Sequence, residues 1–351
     1  MLSDYCHKIT RKNKGNVLSN VLSNSANQGI ISQSEYFDRA IANSNNTAGY
    51  YIIEQDDFVY NPRKSTAAPY GPVNVYHGGE PGIISPLYLC FKTTGINREF
   101  LFYYFKSKAW WPYMYENGDS GVRHDRVSIK DDVFFAMPIQ LPPEKEQLKI
   151  AQLLSLIDQR IAVQNKVIEK YESLIKALAH KIIGKNAPNT MLSECVCCAS
   201  STLKERDLSD AGAVPAYGAA GISGFIDSAL SDGDSILITK DGSGVGSLRY
   251  VVGLHSFVGT LNSMTPKEGV YLPYIYYALQ NVCFECYRTG QAIPHIYFKD
   301  YGKEALYCPS FDDQKRLAKG LEMIDAKIGN ERTALQNLQL VKAYLLSAMF
   351  I

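Results

Sequence analysis

Arginine and lysine supply the one chemistry that this sequence offers in concentrated form. A guanidinium can bridge O6 and N7 of guanine as a two-pronged donor, and an ammonium can neutralise a phosphate. Lys8, Arg11, Lys12 and Lys14 fall close together in a loop-like stretch, Arg63 and Lys64 adjoin, and Arg123, His124 and Arg126 cluster beside Gly121. Later in the chain the comparable donors are Lys204, Arg206, Lys240, Ser243, Arg288, Gln291 and His295. For any one of them a solvated charged loop is the plainer reading. Taken together they are candidate contacts to double-stranded DNA.

Catalytic chemistry is harder to find. The glycine-rich run Asp241-Gly-Ser-Gly-Val-Gly246 can cradle a phosphate through its backbone N–H groups. It lacks the Gly-Lys-Ser/Thr ending of a P-loop, and Leu248-Arg-Tyr-Val-Val reads as a strand where a dinucleotide fingerprint needs a helix. A hairpin turn fits it better. Asn61-Pro62-Arg63 is the nearest approach to a methyltransferase motif, but it lacks the second proline and the aromatic that stacks on a flipped base. No spacing of serine, histidine and acid singles out a triad. Cys195, Cys197, Cys198, Cys283 and Cys286 are numerous enough for a thiolate zinc site. However, the first group lacks the two-residue gap of a zinc knuckle, and the second lies in a run from Tyr274 to Cys286 that reads as helix. Buried reduced thiols without a metal are expected, as is a chain that is not an enzyme and has no cofactor of its own.

The 351 residues, 46% of them apolar and 20% charged, allow two or three ordinary domains. A net charge of +1 excludes binding to nucleic acid by bulk electrostatics, so any contact must be local. Residues 185–311 carry 9 basic and 12 acidic side chains, 9 − 12 = −3, which argues against tight autonomous binding by that segment. No basic-then-apolar start and no run of 18 apolar residues is present. A cytoplasmic protein without a membrane partner is expected.

These donors must be positioned by something, and an internal repeat shows what. Pro142 to Gly184 lies on Pro309 to Ile351 with a single shift of 167 and no gap, which makes Gln147/Gln314, Ala151/Ala318, Leu154/Leu321, Ile157/Ile324, Asp158/Asp325, Ile161/Ile328 and Leu178/Leu345 identical pairs. Apolar residues recur in steps of three and four, the pattern of a helical seam, with Leu154, Ile157, Ile161 and Leu178 in one copy and Leu321, Ile324, Ile328 and Leu345 in the other. Gln164 and Glu331 interrupt both seams at the same depth and can fix register. Prolines stand at both starts.

A looser repeat sets Met1-Leu-Ser-Asp on Met191-Leu-Ser-Glu and Phe100-Leu-Phe-Tyr-Tyr on Tyr274-Ile-Tyr-Tyr-Ala. Short β-rich runs alternate with glycine, asparagine and aspartate turns, and the tyrosine-rich runs read as helix core. The expected fold is α+β. Residues 1–143 form a first mixed domain, 144–184 a first long helix, 185–311 a second domain and 312–351 a second long helix, with Lys185 to Thr190 as linker. The duplicated helices are expected to pair antiparallel as a coiled coil in a pseudo-two-fold repeat, with the domains at opposite ends.

This pattern resembles the specificity subunits of type I restriction-modification systems. The likeness rests on Leu141-Pro-Pro-x-x-x-Gln147-x-x-Ile-Ala151, on Leu154-x-x-Ile157-Asp158-x-x-Ile161, and on Pro309, Gln314, Ala318, Leu321, Ile324, Asp325 and Ile328 of the second copy. Ser32-Gln-Ser-Glu-Tyr-Phe, Asp57-Phe-Val-Tyr-Asn61, Gly121-Val-Arg-His-Asp-Arg126 and Lys240-Asp-Gly-Ser-Gly-Val-Gly246 are similar to target-recognition domains. The resemblance implies two such domains that each read half of a split DNA target. It also implies paired helices that dock two methyltransferase subunits, with S-adenosylmethionine bound there and restriction subunits beyond. Some members carry more sequence at one or both ends.

The competing reading is a coiled-coil scaffold that binds protein and not DNA; the local basic clusters argue against it. The purified chain is expected neither to transfer methyl groups from S-adenosylmethionine to DNA nor to cut DNA. A methylation and nicking assay with the chain alone checks this, and either activity would reveal an active site that these motifs do not show.

Overall fold

A computed structural model of the chain describes residues 1–33, 47–119, 125–290 and 293–350. It divides into two units, Met1–Val163 with Leu335–Ile351, and Gln164–Ala334. Both long helices contribute to both units: Glu144–Ala179, continued by a π-helical turn over His180–Gly184, and Phe311–Met349.

The first unit is built on an antiparallel sheet in the order Cys6–Lys8, Leu89–Thr93, Phe58–Tyr60, Val73–Val75. Successive side chains of a strand point to opposite faces. Phe58 and Tyr60 therefore enter one core with Phe91, Phe105 and Phe134, while Val59 enters a second with Ile53, Ile84 and Cys90. Apolar cover on both faces explains why Phe58–Tyr60 and the start of Leu89–Thr93 read as unbroken hydrophobic runs. A second sheet runs Gly29–Ser32, Val21–Ser25, Gly82–Ile84, Tyr51–Ile53, and its middle pair is parallel. Helix Arg98–Lys106 covers the first core. It starts where Asn97 Oδ1 accepts the Phe100 N–H at 2.9 Å, and it buries Phe100, Leu101, Tyr103, Tyr104 and Phe105.

The second unit repeats the plan. Its main antiparallel sheet runs Val196–Ser200, Leu261–Pro266, Ser235–Thr239, Leu248–Val251, and a hairpin of Val214–Gly218 and Gly221–Ile226 pairs in parallel with Ser256–Phe257. Tyr274 and Tyr277 are buried in helix Leu272–Leu279, as a core role requires. That helix stops short of Cys286, contrary to the sequence reading. Gln280 and Asn281 close tight bonds onto Tyr277 and Ala278 carbonyls at 3.2 and 3.1 Å, and Phe284–Tyr287 forms a separate 3-10 turn. The Asn281 amide also reaches the Ala278 carbonyl, competing with the helix for its acceptor. The end of the expected linker is pinned: Asn189 N–H donates to Leu306 O at 2.9 Å and Thr190–Met191 pairs with Ala305–Leu306.

The long helices pair antiparallel within each unit. In the first, Ile150, Ala151 and Leu154 share a core with Leu345, Leu346, Met349 and Phe350, while Asp158 lies 2.5 Å from Lys342. In the second, Gln164 donates to the Glu331 carbonyl at 3.1 Å and also to its carboxylate, and Ile175 shares a cleft with Asp325 and Ile328. The two polar interruptions of the repeat thus satisfy one another. Of the seam residues, Leu154, Leu321 and Ile328 are buried, and Ile157, Ile161, Leu178, Ile324 and Leu345 are half-buried. No helix among the described residues is long and apolar enough to cross a membrane.

One polar device joins helix to domain twice over. Gln147 Oε1 accepts the Asn97 N–H at 2.9 Å while its amide donates to Pro142 O at 2.9 Å; Gln314 accepts the Tyr271 N–H at 2.8 Å and donates to Pro309 O at 2.8 Å. Farther along, Tyr103 and Tyr277 donate to Asp158 and Asp325, both at 2.9 Å. Gln147→Ala or Gln314→Ala removes an acceptor from a backbone N–H at a buried position, which is expected to cost about 1–3 kcal/mol. Urea unfolding checks this, and an unchanged midpoint in both variants would deny the glutamines their anchoring role.

Candidate nucleic-acid interface

In the first unit the loop leaving the central strand is clamped by the segment that precedes helix Asp131–Phe135. Val127 N–H donates to Pro62 O at 2.9 Å and Lys64 N–H to Asp125 O at 2.8 Å, so Arg63 and Arg126 stand opposite each other as an antiparallel bridge. Asp125 Oδ2 lies 3.9 Å from Nε of both arginines. An exposed carboxylate at that distance contributes at most about 1 kcal/mol, so both guanidiniums remain available to a ligand. With Lys64 beside them, three cations face one acid.

The second unit builds the same clamp from different residues. Ile296 N–H donates to Lys240 O and Gly242 N–H to Pro294 O, both at 2.9 Å, and Asp241 bridges His295. Asp241 Oδ1 accepts from His295 Nδ1 at 2.7 Å, fixing that nitrogen as the protonated one. Lys240 and His295 are thereby brought to one edge, and Ser243 is exposed in the turn that follows. The glycine-rich run is a hairpin turn between Ser235–Thr239 and Leu248–Val251, as its spacing implied. Glycine is required at 246: φ is +86°, and a Cβ there would meet Phe284 Cβ at 2.6 Å.

The remaining basic candidates are placed differently. Lys8 is ion-paired to Asp131, and that hydrogen bond raises its pKa. Arg11 pairs at 2.9 Å with Glu54, which also holds Lys92 at 3.0 Å. Lys12 lies 5.9 Å from the Tyr51 ring, and Lys14 is exposed. Arg206 Nε is 3.8 Å from Asp207, Lys204 is exposed, and Arg288 pairs with Glu285 at 2.5 Å. Arg123, His124 and Gln291 lie outside the described residues. Of the cysteines expected to be buried, Cys195 is, whereas Cys197, Cys283 and Cys286 are exposed, the latter two because the helix ends before them. Four cysteines approach one another in two separate pairs. Cys286 Sγ is 2.8 Å from Cys283 Sγ on the surface, and a hydrogen bond with Cys308 draws the Cys195 thiol down to about 7. Among the described residues no group of three or more histidine, cysteine or acidic side chains is placed to hold a metal.

Sequence reasoning missed what supports the first clamp. Asn24, Asn61 and Asn74 are all buried. Asn61 Nδ2 donates to Asn24 O at 2.9 Å, Asn24 Nδ2 to Val59 O at 2.7 Å, and Asn74 Nδ2 to Asn24 Oδ1 at 2.6 Å and Ser25 O at 2.9 Å. Asn61 Oδ1 accepts the Arg63 N–H at 3.0 Å. Lys106 ends the ladder, donating to Asn74 Oδ1 at 2.5 Å, and burial together with the Lys342 charge brings its pKa down to about 8. Three amides spread over fifty positions leave no periodic signal.

Residues 7–173 match the family model described as the type I restriction modification DNA specificity domain. A Mycoplasma genitalium protein described as a putative type I specificity subunit, S.MgeORF438P, is 25% identical over 230 residues, covering 59% of this chain and 60% of that protein. The crystal structure of a type I restriction-modification S subunit from M. genitalium superposes with a TM-score of 0.61 at 18% identity, over 100% of this chain and 95% of that one. A chain from a structural study of assembly and conformational transition in the type I system gives 0.56 at 15% identity, over 98% and 95%. The resemblance drawn from the helical repeat is thus borne out, and so is the mixed α/β fold.

Lys106 yields a pH signature. Its folded pKa lies below the ordinary lysine value, so the unfolded chain keeps the proton to higher pH and the stability of the parent rises from about pH 8 toward 10.5 through this group. Lys106→Met is expected to remove that rise. The check is the difference in unfolding free energy between parent and variant across this range, and a pH-independent difference would contradict the assignment.

Proposed function

We propose that this chain, whose residues 7–173 belong to the type I restriction-modification DNA specificity family, recognises double-stranded DNA at two separated half-sites, one for each unit. It acts in the cytoplasm as the non-catalytic specificity subunit of a complex. Its long helices set the spacing and dock two methyltransferase subunits, which hold S-adenosylmethionine, with restriction subunits beyond them. Exposed apolar side chains on those helices, among them Leu156, Val163, Leu340 and Tyr344, suit such docking.

The observation that carries the reading is the recurrence of one main-chain clamp with different side chains. In that frame Arg126 corresponds to His295, Arg63 to Asp241, Lys64 to Gly242 and Pro62 to Lys240, so the cations of the two units stand at different places on it. A scaffold has no need to present donors twice in the same frame, whereas a reader of two unlike half-sites needs a constant frame with changed donors. Arginine offers a fork to guanine, lysine neutralises phosphate, and histidine and serine can donate to base edges or phosphates.

Selection from random duplexes by the purified chain at low salt is expected to yield a split motif. Replacing Arg63 and Arg126 by Ala relaxes one half, each guanidinium–guanine fork being worth about 1–3 kcal/mol of discrimination, while replacing Lys240 and His295 relaxes the other half. Removing a cation that meets a phosphate lowers the salt slope by about 1. A continuous motif, or a change in one unit that alters both halves, would end the bipartite reading. Retention on duplex DNA that does not depend on salt and sequence would favour the scaffold instead.

A further inference from the structure

We infer that Asn27 and Gln28, at the tip of the hairpin formed by Val21–Ser25 and Gly29–Ser32, form a base-reading site for adenine in the first half-site. The inference rests on the DNA-recognition reading above and adds to it residues of a different chemistry on a different element.

Ser25 pairs with Gly29, and Gly29 takes φ +74°, the left-handed position that closes a three-residue hairpin loop. Ser25 Oγ lies 3.4 Å from Asn27 N and 3.3 Å from Gln28 N, and the Ser25 carbonyl is held from below by the buried Asn74 amide. The loop backbone is therefore tied to the interior. Its two amide side chains are exposed and have no hydrogen-bond partner among the described residues. A polar side chain on a fixed backbone, with its donors and acceptor unspent, loses little freedom when a ligand arrives.

Position gives Asn27 a target, with Gln28 next to it at the loop tip. Asn27 lines a groove with Asn61, Arg63, Lys64, Ser65 and Thr66, so the tip faces the clamp loop across the space where the cations lie. The amide ladder sets the width of that groove, because Asn24 belongs to the hairpin, Asn61 to the clamp loop, and Asn74 to the strand beyond it. A carboxamide presents a donor and an acceptor side by side, the complement of N7 and N6 of adenine, whereas phosphate calls only for donors. The cations can hold the backbone or a guanine while the amides read the adenine.

The second unit supplies the contrast. Its corresponding hairpin, which also pairs in parallel with the next strand of its sheet, turns through Gly218-Ala219-Ala220-Gly221. No side-chain donor or acceptor stands at that tip, so its half-site must be read from the clamp and its neighbours.

The test compares the full-length parent with Asn27→Ala, Gln28→Ala and the double variant, using selection from random duplexes followed by titration on the selected target and its single-base changes. The expected result is an adenine in the first half-site whose preference falls on the order of tenfold in the double variant. The second half-site and the urea midpoint should stay as in the parent. Full adenine discrimination by the double variant, or a loss that falls on another base or on the second half, would overturn this inference while leaving the bipartite reading in place. A parent that selects no motif would overturn both.

Discussion

A glutamine side chain at the start of each long helix carries the geometry of the unit built around it. Gln147 and Gln314 are buried, and each accepts a backbone N–H at the start of the short domain helix while donating to the proline carbonyl that precedes its own helix. Buried polar groups are expensive unless paired, so each bridge is held closely to one geometry. The short helix then carries position inward. In the first unit it runs from Asn97 to Lys106, and Lys106 touches the asparagine ladder that fixes the loop holding Arg63. Long helix, short helix, amide ladder and clamp form one chain of satisfied polar contacts.

Charge is distributed so that little of it is left over. Lys8, Arg11 and Arg288 answer acids within the protein, while the cations of the first clamp outnumber the acid beside them. For a chain of net charge +1 this concentrates positive potential where the loops converge. Weak bulk attraction favours discrimination over affinity, since non-specific binding grows with every phosphate neutralised.

The helices and their pairing were legible because a period of 3.6 residues and a gapless duplication are local signals. Leu154, Ile157 and Ile161 show their face within one stretch of sequence, and Gln164 and Glu331 mark equal depth in two. The clamps were legible only in part. Arg63, Arg126, Lys240 and His295 were visible as donors, but their convergence depends on main-chain bonds between segments more than fifty residues apart. The same distance hid the acids: Asp131 lies 123 positions from Lys8, and nothing near Lys8 announces it. Asn24, Asn61 and Asn74 read as turn residues, which is what asparagine usually signals. The run through Cys286 misled because its apolar content suits a helix, whereas Asn281 spends its amide on the carbonyl a longer helix would need.

Because each clamp is closed by N–H and C=O groups, most of the residues it displays can change without touching the bonds that close it, Gly242 at φ +96° being the position that the backbone restricts. Proline, arginine and lysine occupy one copy and lysine, aspartate and glycine the other, yet the bonds close at nearly equal length. Such a frame separates inheritance of fold from inheritance of target. Substitutions at the displayed positions can accumulate without breaking the bonds that close the frame. What such a frame displays can therefore change faster than the way it folds.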